Sequence, residues 1–317
     1  MGTFSAAVYK NVRTNDRKLN FTMKPKIFML LFLLSFILSG AYAREQTTQE
    51  ETVIEFKNIA QINTSLNYNW MAYEQSSAGH SLMTNRPWDL GIGFGFLNFS
   101  FGFTFSLPFL SDQNHEQSQS FDMTINQYLK NSFVYAYIKY YSGFNDGADY
   151  NVDLTILNLA LTWTRVFNKN HSLRSVYNLD RRQTVSNGSF LLGGGAYFTS
   201  IQADNQSPHL DDYSERQNAF FIGPSAGFSY TFVFKSNCFL NIMSTFGFNL
   251  MVSSDGVSTG FQALPRFTFG YHGKRWSANI YSKGSYLLAG DIRDPEYNIF
   301  SGNIGTSFVL RIGTKKR

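Results

Sequence analysis

The feature that most constrains how this chain can fold is a strict alternation of bulky apolar residues with small or polar ones. It is clearest over 90–96 and 99–106, where leucine, isoleucine and phenylalanine alternate with glycine, serine and threonine. Successive side chains of an extended strand point to opposite faces of a sheet. Such segments therefore predict strands with one apolar face and one face of small or polar groups.

The same alternation recurs along the chain, and no segment after Ala43 keeps a helical spacing of apolar residues. Many candidate strands exceed the ~5–6 residues usual in soluble sheets and reach the ~9–11 residues that a membrane-spanning strand needs. We predict thirteen of them, near 60–73, 88–97, 99–107, 119–128, 132–142, 150–167, 171–180, 188–201, 218–234, 238–253, 259–272, 275–288 and 299–312.

These strands predict an all-β fold, a closed antiparallel transmembrane β-barrel. Closure is required because hydrocarbon offers no partner for the N–H and C=O groups of an open sheet edge. A soluble β-sandwich or an internal-ligand barrel would instead place the apolar set inside. Its outer faces would then carry lysine and carboxylate side chains. The faces in question carry mostly glycine, serine, threonine and asparagine, which favours the membrane barrel.

Aromatic residues make up 17% of the chain, with 32 phenylalanines and 18 tyrosines, and many of them stand near predicted strand ends. Rings in these positions are typical of the interfacial girdles of membrane barrels. Packing in an ordinary core is the alternative interpretation of any one ring. The girdle candidates are Tyr68, Trp70, Tyr73, Trp88, Tyr140, Tyr141 and Trp163.

A segment beginning at Met23 has the three parts of a secretory signal. Two basic residues, Lys24 and Lys26, precede an apolar run over 27–38. The tripeptide Ala41-Tyr42-Ala43 then supplies the small-x-small pattern that a signal peptidase accepts. Since the apolar run is too short to cross ~30 Å of hydrocarbon, we predict a cleaved signal and not a membrane anchor.

The chain therefore divides into four predicted parts. Residues 1–22 are an upstream or non-native extension, 23–43 the signal peptide, 44–58 a periplasmic N-terminal segment, and 59–317 the barrel. The formal charge of +5 belongs wholly to 1–43, which holds six of the 27 basic residues and one of the 22 acidic ones. The mature chain carries 21 of each, so it lacks the basic excess that nucleic-acid binding requires. A single cysteine excludes an internal disulfide.

Counting strands from the two ends of the chain produces a conflict near 181–189. Short periplasmic turns alternate with longer outer loops in membrane barrels, and the strand number is even. Strands 171–180 and 188–201 would both run outward, so they cannot both be complete neighbours. A polar excursion at 181–189, into the lumen, gives 12 strands and is favoured, while an additional short strand gives 14. Outer loops are predicted at 74–87, 108–118, 143–149, 202–217, 254–258 and 289–298.

Several short motifs carry a resemblance to a known family. They are Tyr177-Asn178, Arg182-Gln183, Ser-Asn-Gly-Ser-Phe-Leu-Leu-Gly-Gly at 186–194, Gly91-x-Gly93, Ser-Leu-Pro-Phe at 106–109 and Lys-Tyr-Tyr-Ser-Gly-Phe at 139–144. On these motifs the chain resembles a Bacteroidota outer-membrane β-barrel family known only as a domain of unknown function. Val185 and Asn187 replace the lysine and alanine of that family's Lys-Ser-Ala-Gly-Ser motif, so no role of the lysine carries over. The resemblance covers most of the mature chain and implies an outer-membrane barrel without an established activity.

The strongest candidate site is the polar segment 181–189. Charged residues inside a membrane barrel are costly unless they are paired or wetted, and Asp122, Asp153 or Asp180 could supply the counter-charge. The functional interpretation is a lumen constriction that binds anionic groups. The alternative is a structural salt-bridge network that closes a narrow pore. The constriction candidates are Arg181, Arg182, Gln183, Ser186 and Ser189.

Catalytic and metal chemistry find little support in the sequence. Barrel lipid hydrolases place a Ser–His pair on strands at the lipid boundary. No strand offers a histidine here, because His80, His115 and His209 are expected in outer loops, and His171 and His272 in the short turns at strand ends. We therefore expect no enzyme activity, no catalytic residue and no cofactor. The acidic segment 204–215 lacks the ligand spacing of a calcium loop, so we expect a solvated loop and no metal site.

The sequence predicts an outer-membrane protein whose first functional candidate is a passive channel or an apolar-solute transporter, for a solute that the sequence does not identify. The alternative is a structural or surface-interaction barrel without transport, and the remote alternative is an outer-membrane lipid hydrolase. The expected partners are outer-membrane lipid and the outer-membrane assembly machinery. No nucleic acid is expected as a partner, because the mature charge is balanced.

Overall fold

The computed structural model describes residues 52–58, 60–75, 81–84, 88–107, 119–145, 151–203, 216–254, 256–291 and 294–313. All of them lie in one compact unit, Glu45–Arg317. No helix within these residues is long and apolar enough to cross a membrane. The strands are β1 (Val53–Glu55), β2 (Ala60–Gln75), β3 (Ser81–Thr84), β4 (Trp88–Phe96), β5 (Phe99–Ser106), β6 (Gln119–Tyr128), β7 (Ser132–Asn145), β8 (Asn151–Val166), β9 (Arg181–Gln183), β10 (Asn187–Ala203), β11 (Gln217–Val233), β12 (Cys238–Ser253), β13 (Gly256–His272), β14 (Trp276–Asp291) and β15 (Asp294–Ile312).

Twelve of these strands form one closed antiparallel barrel. Their order around the wall is β2-β4-β5-β6-β7-β8-β10-β11-β12-β13-β14-β15, and β15 pairs back to β2 over its whole length, from Ala60–Ile312 to Gln75–Tyr297. Each of these strands is thereby paired with a neighbour on both sides, and no strand is left at an open edge, as a hydrocarbon environment requires. The predicted fold class and the favoured count of 12 are confirmed, and the alternative count of 14 is wrong.

The four-residue strand β3 bridges two wall strands at one end of the barrel. It pairs with β2 through Leu82–Tyr73 and with β7 through Thr84–Phe144. Strands β4, β5 and β6 have only 9, 8 and 10 residues. These three short strands fill the wall between β2 and β7 only beside the first part of β2. Beyond the ends of the three strands, β3 joins β2 directly to β7.

The apolar face of the wall points outward and the small or polar face points inward. In β4 the residues alternate strictly, with Phe94 50% exposed and Leu90 42% exposed, while Gly93 and Asp89 are buried. A soluble protein exposes few large apolar side chains in a continuous surface. This orientation is the one predicted for a transmembrane barrel and the reverse of a soluble internal-ligand barrel.

The two ends of the barrel differ in their connections. Both chain termini of the barrel and the turns at 97–98, 129–131, 234–237 and 273–275 lie at one end, here called the short-turn end. The opposite end is the long-loop end. The predicted bounds of two of its outer loops, 254–258 and 289–298, are wrong, because β12–β13 and β14–β15 continue pairing as far as Ser253–Gly256 and Asp291–Asp294. Glycine, serine and aspartate residues are frequent in these hairpins and favour turns, so the sequence pattern did not indicate that the strands continue.

The predicted strand 171–180 is also wrong. Residues 167–186 leave the wall between β8 and β10, and they contain a single helical turn, α1 (Arg174–Tyr177), and the short strand β9. β9 pairs with β1 and with no wall strand. Leu173, Val176 and Leu179 recur every three residues and are all buried, which is a helical and not a strand spacing.

Candidate functional site

The lumen of the barrel contains three layers between its two ends. A plug, defined as residues 168–184 together with 52–56, occupies the short-turn end. A polar central cavity follows, and an apolar lumen cluster fills the long-loop end. The candidate site therefore has three parts: the plug, the polar central cavity and the apolar lumen cluster. Each part contacts the barrel wall.

The plug is attached to the wall by Arg174 of α1. The Arg174 guanidinium donates Nε to both carboxylate oxygens of Asp180, at 2.8 and 3.1 Å. Its other nitrogens donate to Asn98 Oδ1, at 2.7 Å, and to the carbonyl of Leu97. Because Leu97 and Asn98 form the β4–β5 turn, Arg174 fixes the plug to the wall there, while its buried ion pair with Asp180 holds the guanidinium in place.

A second arginine reaches the plug from the wall. Arg311 of β15 donates Nη2 to the carbonyl of Leu179 at 2.6 Å and Nη1 to the carbonyl of Gly273 at 2.9 Å. Its guanidinium also lies 3.6 Å from the centre of the Phe56 ring. The left-handed φ of Leu179, 55°, turns its carbonyl toward Arg311 at the end of α1. Both halves of the plug thus contact one wall residue.

A histidine–serine pair lies where the plug meets β11. His171 Nε2 is 2.9 Å from Ser229 Oγ, and Asn241 Nδ2 donates to the same Ser229 oxygen at 3.0 Å. Burial lowers the pKa of His171 to about 4, because the imidazolium would lose its hydration there. The pair cannot be recognised from the sequence, because His171 and Ser229 are 58 residues apart.

Three of the predicted constriction residues, Arg181, Arg182 and Gln183, belong to the plug itself. Arg181 is ion-paired with Glu55 at 3.4 Å, and Arg182 donates to Asn237 of the β11–β12 turn. Gln183 is buried, and its side chain bonds the backbone of Ser172 and Val185. These three residues form β9 and are brought together at the short-turn end. Of the three aspartates considered, Asp180 pairs with Arg174, and the side chain of Asp153 lies outside the described residues.

The two predicted serines have other positions. Ser189 Oγ accepts the backbone N–H groups of Phe167 and Asn168, at 3.0 and 2.9 Å, and so closes the β8–plug junction. Ser186 Oγ accepts the N–H of Val233 at 2.9 Å. Whether the five candidates act as a constriction stays a prediction.

The apolar lumen cluster occupies the long-loop end of the barrel. Nine strands contribute to it, and Phe144, Leu154, Ile156 and Phe221 are all fully buried. Two girdle candidates, Tyr73 and Tyr141, belong to it and are 1% and 2% exposed, so their interfacial assignment is wrong. Its members are Met71, Tyr73, Leu82, Tyr137, Tyr141, Phe144, Leu154, Ile156, Ala160, Tyr197, Ile201, Ala203, Ala219, Phe221, Met251, Leu287, Ala289, Tyr297 and Ile299.

The central cavity has a volume of about 190 Å³ and lies between two pairs of charged residues. Asp122 and Lys139 are direct cross-strand partners on β6 and β7, and Arg266 and Lys283 are direct partners on β13 and β14. In the closed strand order, four strands separate the two hairpins in either direction, so the pairs face each other across the lumen. Apart from Asp122, these residues were not among the predicted site residues, although a charged residue at an inward position of an alternating strand is a usable signal.

Tyrosine rings surround these charges. The guanidinium carbon of Arg266 lies 3.7 Å from the centre of the Tyr177 ring, which belongs to the plug. The amines of Lys139 and Lys283 lie 5.2 and 4.8 Å from the ring centres of Tyr137 and Tyr281. Such contacts stabilise a cation without neutralising its charge. The cavity can therefore attract negative charge but offers no evident catalytic base beside a nucleophile.

No group of three or more histidine, cysteine or carboxylate side chains that could hold a metal occurs among the described residues. The acidic segment 204–215, which sequence analysis considered for calcium, lies outside them. His272 is the last residue of β13, and its Nδ1 lies 3.1 Å from Ser277 Oγ. That histidine had been expected in a turn.

Several solved barrels are similar to this chain at low sequence identity. The translocator domain of the autotransporter NalP from Neisseria meningitidis is 12% identical over 90% of this chain and 96% of its own, with a TM-score of 0.42. The β-domain of the Bordetella autotransporter Brka is 12% identical over 80% of this chain and 100% of its own, with a TM-score of 0.44. A bacterial polysaccharide outer-membrane secretin is 9% identical over 81% and 99%, with a TM-score of 0.37.

The search of curated proteins finds no match to this chain. A family model does match, over residues 54–313, which include β2 to β15 and hence the wall, the central cavity and most of the plug. The family's description gives no activity, in agreement with the resemblance drawn from the sequence motifs. The chain belongs to the family described as Domain of unknown function (DUF4421).

Proposed function

We propose that this chain is a non-catalytic outer-membrane β-barrel that stays closed, and that it serves as a structural or surface-interaction barrel without transport. The observation that supports this proposal is the apolar lumen cluster, which joins side chains from nine strands across the long-loop end. Barrels of about 8 strands are filled by their own side chains, and those of 16–18 strands leave an aqueous channel. With 12 strands, this barrel is narrow enough for large side chains to meet.

The plug supports the same proposal at the other end. Arg174 of the plug binds the β4–β5 turn, and Arg311 of β15 binds the plug carbonyl of Leu179, so the plug is held to the wall at two places. Opening a channel would require both ends to rearrange. For this reason the geometry favours the structural alternative over the passive channel that the sequence placed first.

The outer-membrane location is part of the proposal. The signal segment 23–43 supplies export, and the outward apolar face supplies a surface that suits lipid. Outer-membrane lipid and the outer-membrane assembly machinery are the partners that such a barrel requires. Bacteroidota origin remains a prediction from the motifs.

Solute uptake by vesicles tests the proposal. Purified protein is inserted into liposomes, and swelling is followed in small sugars beside protein-free vesicles and vesicles with an open porin. We expect swelling no faster than in protein-free vesicles. Sugar uptake would favour the passive channel, and passage of a labelled alkane would favour the apolar-solute transporter.

The proposal also excludes the lipid hydrolase. The His171–Ser229 pair has the distance of a nucleophile and its base, but Ser229 is 1% exposed and its oxygen already accepts Asn241. His171 Nδ1 has no hydrogen-bond partner among the described residues, so no third group orients the ring. We expect membranes containing overexpressed protein to keep an unchanged lipid profile, and new lysolipid would contradict this assignment.

A further inference from the structure

Two cations lie side by side on one side of the central cavity, where they repel each other unless a negative charge lies between them. Arg266 and Lys283 stand directly opposite each other on β13 and β14, and both face inward. Like charges in directly opposed positions of a sheet repel each other. The repulsion is stronger inside a barrel than at a surface, since less water screens it.

No carboxylate of the described residues neutralises this pair. Neither Arg266 nor Lys283 has an ion-pair partner within 4.0 Å there, and the Arg266 Nε only reaches Thr268 Oγ1, at 3.4 Å. The nearest acidic group across the cavity, Asp122, already has Lys139 as its cross-strand partner. Three basic side chains and one acidic side chain therefore line the cavity, a formal excess of two positive charges.

The same cavity also contains acceptors without donors. Asp122 is 8% exposed, and its Oδ1 has no hydrogen-bond partner, while its Oδ2 accepts only from Tyr141 at 3.5 Å. The side-chain oxygens of Asn63 and Asn303, which line the same cavity, are likewise without partners in the described part of the chain. A buried acceptor without a donor is costly. An occupant that brings hydrogen-bond donors as well as negative charge would satisfy both these acceptors and the two cations.

We propose that the central cavity binds one small hydrogen-bearing oxyanion of the phosphate class. Its oxygens accept from Arg266 and Lys283, and its hydroxyl donates to Asp122. A volume of about 190 Å³ holds roughly a dozen water-sized groups, so such an ion fits with part of its hydration. An adjoining space of about 100 Å³ shares Arg266 and Lys283 and lies toward the plug. The site is independent of whether the barrel conducts.

Phosphate binding to the refolded full-length protein in detergent tests the proposal. Because both ends of the barrel are closed, the protein is refolded in a series of inorganic phosphate concentrations. The phosphate retained after gel filtration and the unfolding temperature are then measured. We expect saturable binding and a rise in unfolding temperature for the natural chain, because a ligand that binds only the folded state stabilises it. Replacing Lys283 by methionine should weaken phosphate affinity at least about tenfold.

Two controls separate this site from a general charge effect and from misfolding. Lys274→Gln removes the same charge from the exposed β13–β14 turn and should leave phosphate binding unchanged. Heat-modifiable gel mobility reports whether Lys283→Met still forms the barrel. Equal phosphate binding by Lys283→Met and the natural chain would overturn the proposal, and so would the absence of binding by the natural chain.

A second probe distinguishes a free ion from a lipid headgroup. A short-chain phosphatidate is titrated under the same conditions, since its phosphate carries acyl chains that the enclosed cavity does not accommodate. We expect inorganic phosphate to bind and the phosphatidate to compete poorly. Binding of the phosphatidate alone would replace the lumen site with a lipid site and contradict the proposal.

Discussion

Arg174 and Asp180, six residues apart in the plug, share two hydrogen bonds of 2.8 and 3.1 Å, and both residues are more than nine-tenths buried. Removing one partner of a buried ion pair leaves an uncompensated charge and costs about 3–5 kcal/mol. Arg174→Met should therefore release the plug from the wall. Faster deuterium exchange at the amides of Tyr177 and Leu179, whose acceptors lie at the start of α1, would report the release.

The exposed ion pair of the same plug provides the control. Arg181 and Glu55 are 32% and 38% exposed, and pairs in water contribute little, about 0–1 kcal/mol. Arg181→Gln should leave exchange in α1 close to that of the natural chain. If both substitutions accelerated exchange equally, the buried pair would not be what holds the plug.

The wall was predictable from the sequence because its cause is local. Lipid on one side and a narrow lumen on the other impose the same alternation on every strand, so short windows such as 90–96 contain the whole signal. The strand count was predictable for a related reason. Closure and an even number of strands meant that 171–180 could be a complete wall strand only if a further short strand existed, so 12 was the favoured count.

The plug could not be predicted in the same way. Its contacts join residues far apart in sequence, as with Arg174 and Leu97, 77 residues apart, and Arg311 and Leu179, 132 residues apart. The apolar lumen cluster was missed for a different reason. Near the long-loop end the inward positions become apolar, as at Leu154 and Ile156, and the period-two pattern then no longer tells inside from outside.

The apolar lumen cluster should contribute more to stability than the outward apolar face. Phe221 is fully buried, and truncating a buried phenylalanine to alanine costs about 3–5 kcal/mol, because a cavity remains. Its neighbour Phe220 points outward and is 43% exposed. We expect Phe220→Ala to cost less than half as much, since lipid refills the space. Urea unfolding of both variants in lipid vesicles measures the difference, and equal losses would argue against a packed lumen.

The outward face should tolerate charge only near the strand ends. Phe246, in the middle of β12, and Val252, near its long-loop end, are both 43% exposed. An arginine at the bilayer midplane costs about 2–4 kcal/mol, and one near the interface about 0–1 kcal/mol. Phe246→Arg should therefore lower the folding yield in vesicles much more than Val252→Arg does. Equal yields would contradict a membrane-embedded wall.

Docking of the plug should depend on pH through His171. Its pKa is lowered to about 4 from 6.5, so an undocked segment takes up a proton below pH 6.5 while the docked one resists protonation. Docking is then at full strength above pH 6.5 and weakens as the pH falls toward 4, by about 3 kcal/mol in total. Limited proteolysis of the plug across this range measures the loss. His171→Gln keeps a group that can hydrogen-bond to Ser229 but does not titrate, so it should flatten the pH profile of proteolysis. Subtracting the two profiles removes the contribution of other titrating groups, such as His272. A profile that is unchanged by this substitution would assign the pH dependence to another residue.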